Sequence, residues 1–193
     1  MAQPHSGEGD GAEANVPLRS SGKGRSTTSA THGMEVDRWY HWVVTFEGQQ
    51  GDTSAHPMKI YINGELVYTN NWRWTQTGNT GGGENKYFGG RNNNGNFVKG
   101  WNFTLDEVAI FDEENGSDWV TGAYNNGNPT DLQNDSGLVG YWRFEEGEGT
   151  NVEDLSGNDN YGTLTSDDVD TYGLPGWSAD LPLNIKEPLV LKT

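Results

Sequence analysis

The chain has 193 residues and a formal net charge of −16, because 28 Asp and Glu residues outnumber 12 Lys and Arg residues. This acidity excludes a protein that binds the nucleic-acid backbone, since such a protein needs a basic face to release counterions. The absence of cysteine excludes disulfides and Cys-ligated zinc, and no segment approaches the roughly 18 apolar residues that cross a bilayer. With 28 Gly residues and an aromatic fraction of 11%, the composition favours one all-β domain with many turns.

The first 35 residues differ from the rest, because Gly, Ser and Thr dominate and Val16 and Leu18 are the large aliphatic residues among them. The start of the chain also lacks the apolar core of a secretory signal. We expect either a flexible arm or a segment that is ordered on a partner. The local positive charge of Arg19, Lys23 and Arg25 suits docking onto an acidic neighbour.

A β-hairpin is predicted in the run KIYINGELVYTN. The Asn-Gly pair at 63–64 is typical of a type I′ turn, which requires positive φ at both central residues. A two-residue loop would pair Ile62 with Glu65 and Ile60 with Val67. Both faces of this hairpin are apolar, so we expect it inside a layered sheet.

Other elements follow from period-two and helical patterns along the chain. Residues 40–46 and 138–144 alternate as strands, and residues 97–111 fit one long strand or two short ones. A short helix is predicted with Ser117 as its N-cap and the Asn-Gly pair at 126–127 as its C-cap.

Six runs then occur in a fixed order: WYHWVVTFEG, KIYINGELVYTN, FGGR, LDEVAIF, AYNNGNPTDL and GLVGYWRFEEGEGTNVEDLSGNDNYGTL. Together they resemble the laminin G-like (LamG) jelly rolls of the concanavalin A-like lectin/glucanase type, similar to copies in phage virion and extracellular proteins. The resemblance implies an all-β fold, an antiparallel two-sheet β-sandwich with one short helix and extended termini.

The order of these runs departs from that family, in which the run at 138–165 commonly opens the domain. Here it comes last. It could supply the early-type strands in permuted order, begin a second truncated repeat, or leave another subunit to complete the sandwich. The expected domains are an arm at 1–35, a jelly roll at 36–165 and an extended C-terminal segment at 166–193.

Catalysis is not expected, although related glycoside hydrolases place paired carboxylates across the sugar bond. The nearest acidic groups are Glu145, Glu146 and Glu148, and Asp112, Glu113 and Glu114. The first group follows a strand and contains glycines, and the second is a consecutive turn whose side chains diverge. No metalloprotease, GxSxG or P-loop motif is present, and His41 is interpreted as a packed or edge histidine.

A Ca²⁺ site is expected from the oxygen-rich sequence, because calcium takes carboxylate, carbonyl and amide oxygens on loops. Asp106 is the best single candidate, since it shares a strand face with Val108 and a buried carboxylate needs a positive partner. The resemblance adds Asp154 or Asn158 as further ligands. The alternative for the turn DLSGNDN is an Asx-turn that bonds its own backbone.

A glycan site is predicted in the loop NNWRWTQTGN, where two indoles project to one side of an extended chain. The predicted ligand-binding residues are Trp72, Arg73, Trp74, Asn70, Asn71 and Gln76. The two indoles form either a binding platform or a hydrophobic lid. Trp101, Trp119 and Trp142 lie in periodic segments and are expected in the core.

These observations favour a non-catalytic recognition or adhesion module that binds a surface glycan with calcium support. The alternative is a structural capsid, fibre or decoration protein without a glycan ligand. A homo-oligomer or larger assembly is expected, with no nucleic-acid partner and no membrane insertion. The fold is usually found outside cells, and the chain carries no classical signal peptide. We therefore expect an extracellular or virion-associated protein, either a particle component released by lysis or a fragment of a longer chain.

Overall fold

The computed structural model describes residues 2–4, 16–18, 25–27, 37–48, 54–73, 87–88, 91–93, 96–98, 103–165 and 176–178. The described strands are β1 (Ala2–Pro4), β2 (Val16–Leu18), β3 (Arg25–Thr27), β4 (Trp42–Phe46), β5 (Ala55–Ile62), β6 (Glu65–Arg73), β7 (Arg91–Asn93), β8 (Asn96–Val98), β9 (Phe103–Leu105), β10 (Val108–Phe111), β11 (Leu138–Trp142), β12 (Asn151–Val152) and β13 (Gly162–Thr163). Helix α1 spans Ser117–Tyr124 and leads into a 3-10 turn at Asn125–Gly127.

Every described strand pair is antiparallel. Strands β4, β5 and β6 form a three-stranded sheet, and β10 pairs with β11. Strand β1, which lies in the segment expected to be a flexible or partner-ordered arm, pairs with β9 of the same chain. Within the described residues, no helix is both long enough and apolar enough to cross a membrane.

The predicted turn between β5 and β6 is confirmed. Asn63 has a φ of 51° and Gly64 a φ of 80°, as a type I′ turn requires. Ile62 lies opposite Glu65, also as predicted. The buried Asn63 side chain adds a second function, because its Oδ1 accepts a 3.0 Å hydrogen bond from the backbone N–H of His41. The turn is thereby fixed to the chain just before β4.

The predicted pairing of Ile60 with Val67 is wrong. The register shifts between Ile60 and Tyr61, so Ile60 lies opposite Tyr68 and Tyr61 lies opposite Leu66. A bulge of this kind inserts one residue without a partner and moves the following side chains to the other face. The sequence could not reveal it, since Ile60 and Tyr61 are both buried and alternation is therefore missing.

The segment at 97–111 contains separate strands rather than one. Glu107 has a φ of 51°, which breaks the extended chain between β9 and β10. The prediction that Asp106 shares a strand face with Val108 is therefore wrong, because Asp106 lies in the break and not in a strand.

The N-cap of helix α1 lies one residue earlier than the sequence predicts. Gly116 is the N-cap and no side chain caps the first turn, so Ser117 is the first helical residue. The C-cap is Asn125, with a left-handed φ of 44°, rather than the predicted pair at 126–127. Asparagine tolerates this conformation because its short polar side chain bonds the local backbone.

One described core cluster joins the helix to the last third of the chain. Ala123, Leu132 and Tyr141 are its buried members, and Tyr141 is 0% exposed. Partly buried side chains pack against it from Ala109, Phe111, Trp119, Leu138 and Leu155. Strand β11 thus packs on the same core as α1 and pairs with β10 of the same chain.

Two glycine substitutions test the backbone conformations described above. Gly64→Ala should lower the free energy of unfolding by about 1–2 kcal/mol, because φ is +80° and the new Cβ would lie 3.0 Å from Cδ1 of Tyr124. Gly122→Ala should raise it by about 0.5–1 kcal/mol, since Gly122 lies in α1 with nothing within 4 Å of the added Cβ. Urea unfolding monitored by tryptophan fluorescence measures both. Equal effects of the two substitutions would contradict the turn assignment.

Candidate functional site

The residues predicted to bind a glycan fall partly in a strand. Four of the six are the last four residues of β6: Asn70, Asn71, Trp72 and Arg73. The other two, Trp74 and Gln76, lie outside the described residues. The loop prediction is wrong for 70–73, because β5 extends alongside and pairs its His56 with Trp72. Backbone pairing with β5 therefore outweighs the polar side chains of this stretch.

His41 lies just before β4 and packs against Tyr124 at the end of α1, which agrees with its interpretation as a packed histidine. Its ring centroid lies 5.8 Å from that of Tyr124. Its Nδ1 is buried and has no hydrogen-bond partner among the described residues. Burial lowers the pKa of His41 to about 4, so the imidazole is neutral at pH 7.

Asp154 is a buried carboxylate, 7% exposed, that accepts four hydrogen bonds. Its Oδ1 accepts from the backbone N–H groups of Tyr141 and Ser156, each at 2.9 Å. Its Oδ2 accepts from Ser156 Oγ at 2.9 Å and from the backbone N–H of Asn160 at 2.8 Å. Burial alone would raise the pKa of Asp154, but these donors outweigh it and lower the pKa below its usual value.

The turn that follows Asp154 is hydrogen-bonded along β11. The carbonyl of Val139 accepts from Ser156 Oγ at 3.0 Å, from Asn158 Nδ2 at 3.1 Å and from Asn160 Nδ2 at 2.9 Å. Asn158 Nδ2 also reaches the carbonyl of Leu138 at 3.2 Å. The Asx-turn interpretation of DLSGNDN is confirmed by the bond from the Ser156 N–H to Asp154.

The predicted calcium ligands do not form one cluster. Four donors already fill about four lone-pair sites of the Asp154 carboxylate. Asp106 precedes the end of β10 that lies beside Trp142, whereas Asn158 bonds Leu138 at the other end of β11. In the described part of the chain, no group of three or more Asp, Glu or His side chains is placed to hold a metal ion. The described residues therefore fit calcium poorly, and the site stays a prediction.

An acidic side chain that the sequence analysis missed lies beside Asp106. Glu107 is 8% exposed at its side chain and accepts hydrogen bonds from Tyr141 Oη and, at 3.0 Å, from Arg143 Nε. Arg143 also contacts Glu145 at 3.2 Å. Burial and the neighbouring charge of Glu107 raise the pKa of Asp106 to about 6. Only the pairing of β10 with β11 brings Glu107 to Tyr141, so sequence order could not reveal it.

A small cavity of about 220 Å³ lies next to this ion-pair group. Its lining residues are Arg143, Glu145, Glu146, Glu153 and Leu155. Three carboxylates face one guanidinium there, so the cavity is net negative.

Three aromatic side chains, Phe88, Trp142 and Tyr161, form what we term the aromatic surface. The indole of Trp142 lies over Gly140 and leaves no room there for an added Cβ. Its Nε1 donates a 2.8 Å hydrogen bond to the carbonyl of Asn160, which immediately precedes Tyr161. The Phe88 ring meets the indole edge-on at 5.9 Å. Phe88 is 51% and Tyr161 65% exposed.

The aromatic surface occupies the outward face of β10 and β11. Tyr141 faces the core, so its neighbour Trp142 faces away from it. Ile110, opposite Gly140 and 36% exposed, continues the apolar area. The prediction that Trp142 lies in the core is wrong, because alternation in β11 does not say which of its two faces is buried.

Exposed polar groups border the aromatic surface. Asn158, Asp159 and Asn160 are all exposed. Both asparagines direct Nδ2 to the carbonyl of Val139, and their Oδ1 atoms accept no hydrogen bond from any residue that the structure describes. The surface thus combines apolar rings with carbonyl oxygens able to accept hydrogen bonds.

Comparison with known families agrees with this architecture. The model of the concanavalin A-like lectin/glucanases superfamily, of the laminin G type, matches residues 7–121, more than half of the chain. The chain belongs to this superfamily. No curated protein and no solved structure matches it significantly. The predicted all-β fold, with antiparallel sheets and one short helix, is confirmed.

The matched segment differs from the predicted jelly-roll limits of 36–165. It begins within the expected arm and ends in α1, before β11. The name of the superfamily covers both lectins and glucanases, so membership by itself supports a carbohydrate-binding module and leaves catalysis open.

Replacing Asp106 tests both its protonation and its predicted calcium ligation. Without calcium, Asp106→Asn should raise the free energy of unfolding at pH 7 by about 1 kcal/mol after solvent screening. The reason is that the pKa of about 6 in the folded protein exceeds the usual 3.8, so the folded state binds the proton more tightly. Stability of the natural protein should accordingly rise as the pH falls from about 7 towards 4, and the gain from the substitution should vanish at pH 4.

Thermal unfolding with EDTA and with added Ca²⁺ measures both effects. The metal-free account of Asp106 is contradicted if added Ca²⁺ raises the melting temperature of the natural protein but not that of Asp106→Asn.

Proposed function

We propose that the protein is a non-catalytic carbohydrate-binding module whose glycan binds on the aromatic surface. The observation that carries this proposal is the exposure of Phe88 and Tyr161 near the partly buried indole of Trp142, beside a turn rich in amide oxygens. A pyranose ring presents an apolar C–H face to an aromatic ring and hydroxyl groups at its edge. A binding site with aromatic contacts and a few placed polar groups matches both features.

The aromatic surface is largely fixed before a ligand arrives. Trp142 is held by Asn160 and by contact with Gly140, and the Tyr161 hydroxyl donates a 2.9 Å hydrogen bond to Asp159. Side chains ordered in advance lose less entropy when they bind. This favours recognition of a ligand over an accidental exposure of apolar groups.

The arrangement of carboxylates supports binding without catalysis. A retaining glycosidase needs two carboxyl groups about 5 Å apart across the sugar. Here Glu107 and Glu145 are both bonded to Arg143, and Glu114 is bonded to Lys59 at 2.9 Å. These three carboxylates are engaged in ion pairs. Glu146, which lines the cavity with Glu145 and Glu153, accepts a 2.7 Å hydrogen bond from the backbone N–H of Glu153.

Further proposals on a second site, calcium, location and assembly accompany this function. A second candidate glycan site is the end of β6 at Asn70 and Asn71, extended by the sequence prediction to Trp72, Arg73, Trp74 and Gln76. Calcium support through Asp106 is the alternative to the metal-free account of that residue, and binding on the aromatic surface does not depend on it. An extracellular or virion-associated location and assembly into an oligomer suit a glycan-binding module, since repeated weak sites gain avidity.

A glycan array on the purified protein tests the function and places the site. Phe88→Ala and Tyr161→Ala should each weaken binding about tenfold, because each removes an exposed ring of the aromatic surface. Leu66→Ala is the matched control, since Leu66 is 51% exposed but lies in β6. It should leave binding unchanged.

Three other results of the glycan array would each contradict one part of the proposal. Binding lost on Trp72→Ala but retained on Tyr161→Ala would move the site to β6. Binding that survives a chelator would contradict calcium support. An array without any bound glycan would contradict the function and favour the structural alternative.

A further inference from the structure

The aromatic surface lies in a negative electrostatic environment. Asp159 accepts the hydrogen bond from the Tyr161 hydroxyl at 2.9 Å. This bond and the charge of Asp159, together with the charges of Glu153 and Asp154, raise the pKa of Tyr161. Three carboxylates therefore act on the most exposed ring of the surface.

No described cation offsets these charges beside Tyr161. Arg143, the guanidinium lining the neighbouring cavity, is paired with Glu107 and Glu145. Glu145 and Glu146 line that cavity together with Glu153, so the negatively charged area extends beyond the aromatic rings. The chain as a whole carries a net charge of −16, which reinforces the local sign.

We propose that the aromatic surface selects by charge: it takes uncharged or amine-bearing saccharides and excludes saccharides that carry carboxylate, sulfate or phosphate groups. This inference rests on the proposed function and adds the chemical class of its ligand. An anionic group brought next to Asp159 and Glu153 is repelled by both, whereas an ammonium group is attracted and a hydroxyl group is unaffected.

The same charges argue against a second copy of the chain as the occupant. Two copies that meet through this surface would bring Glu153 and Asp159 of each next to the other, and repulsion between like charges opposes such contact. A neutral saccharide meets no such penalty.

Asp159 offers a substitution that changes charge with little change in shape. Its φ is 58°, a left-handed conformation that asparagine tolerates well. Asn at this position also retains an oxygen that can accept the Tyr161 hydroxyl. Asp159→Asn therefore removes one negative charge while preserving the hydrogen bond that holds the ring.

The experiment compares uncharged glycans on an array with their sialylated, sulfated and amine-bearing counterparts, at low and high salt. The natural protein should bind uncharged and amine-bearing glycans and bind their acidic counterparts more weakly. Asp159→Asn should strengthen binding of acidic glycans about threefold at low salt, an effect of the size expected for one charge at close range in water. Glu153→Gln should act in the same direction.

Asp118→Asn is the matched control. It removes the same charge from α1, which packs on the core side of β11 through Ala123, and it should leave the ratio of acidic to uncharged binding unchanged. Acidic glycans bound as tightly as their uncharged counterparts would overturn the selection while leaving the proposed function intact. An array without any bound glycan would overturn both. If Asp118→Asn strengthens the binding of acidic glycans as much as Asp159→Asn does, the effect comes from net charge. That result would overturn the local role of Asp159.

Discussion

The four hydrogen bonds to the Asp154 carboxylate join the core, the turn at 154–160 and the outward surface of β11. A carboxylate that is 7% exposed is costly unless donors replace the water it has lost. Three backbone N–H groups and the hydroxyl of Ser156 supply them. Three of these donors belong to the turn itself and one to Tyr141 of β11, so the turn lies against the strand.

Adjacent residues of β11 then serve different purposes. Tyr141 points into the core, where its hydroxyl bonds Glu107, while Trp142 points outward and bonds the carbonyl of Asn160. The position of that carbonyl depends on Asp154, because Asp154 accepts the N–H of the same residue. Core packing and the aromatic surface are thus coupled through one buried carboxylate.

Local features were predictable from the sequence, and features that depend on distant partners were not. The Asn-Gly turn at 63–64 and the Asx-turn after Asp154 follow from chemistry within a few residues. The register at Ile60 was missed because neighbouring residues are apolar on both faces. The outward orientation of Trp142 and its contact with Phe88 depend on which face of β11 the core covers, and this information lies in α1 and β10.

Amide hydrogen exchange at residues 141, 156 and 160 tests the role of Asp154 most directly. In the natural protein at pH 7, the N–H groups of Tyr141, Ser156 and Asn160 should be protected. In Asp154→Asn, the amides of Ser156 and Asn160 should exchange much faster, while those in the β5–β6 hairpin keep their protection. Unprotected amides at 156 and 160 in the natural protein, or unchanged protection in the variant, would contradict the account.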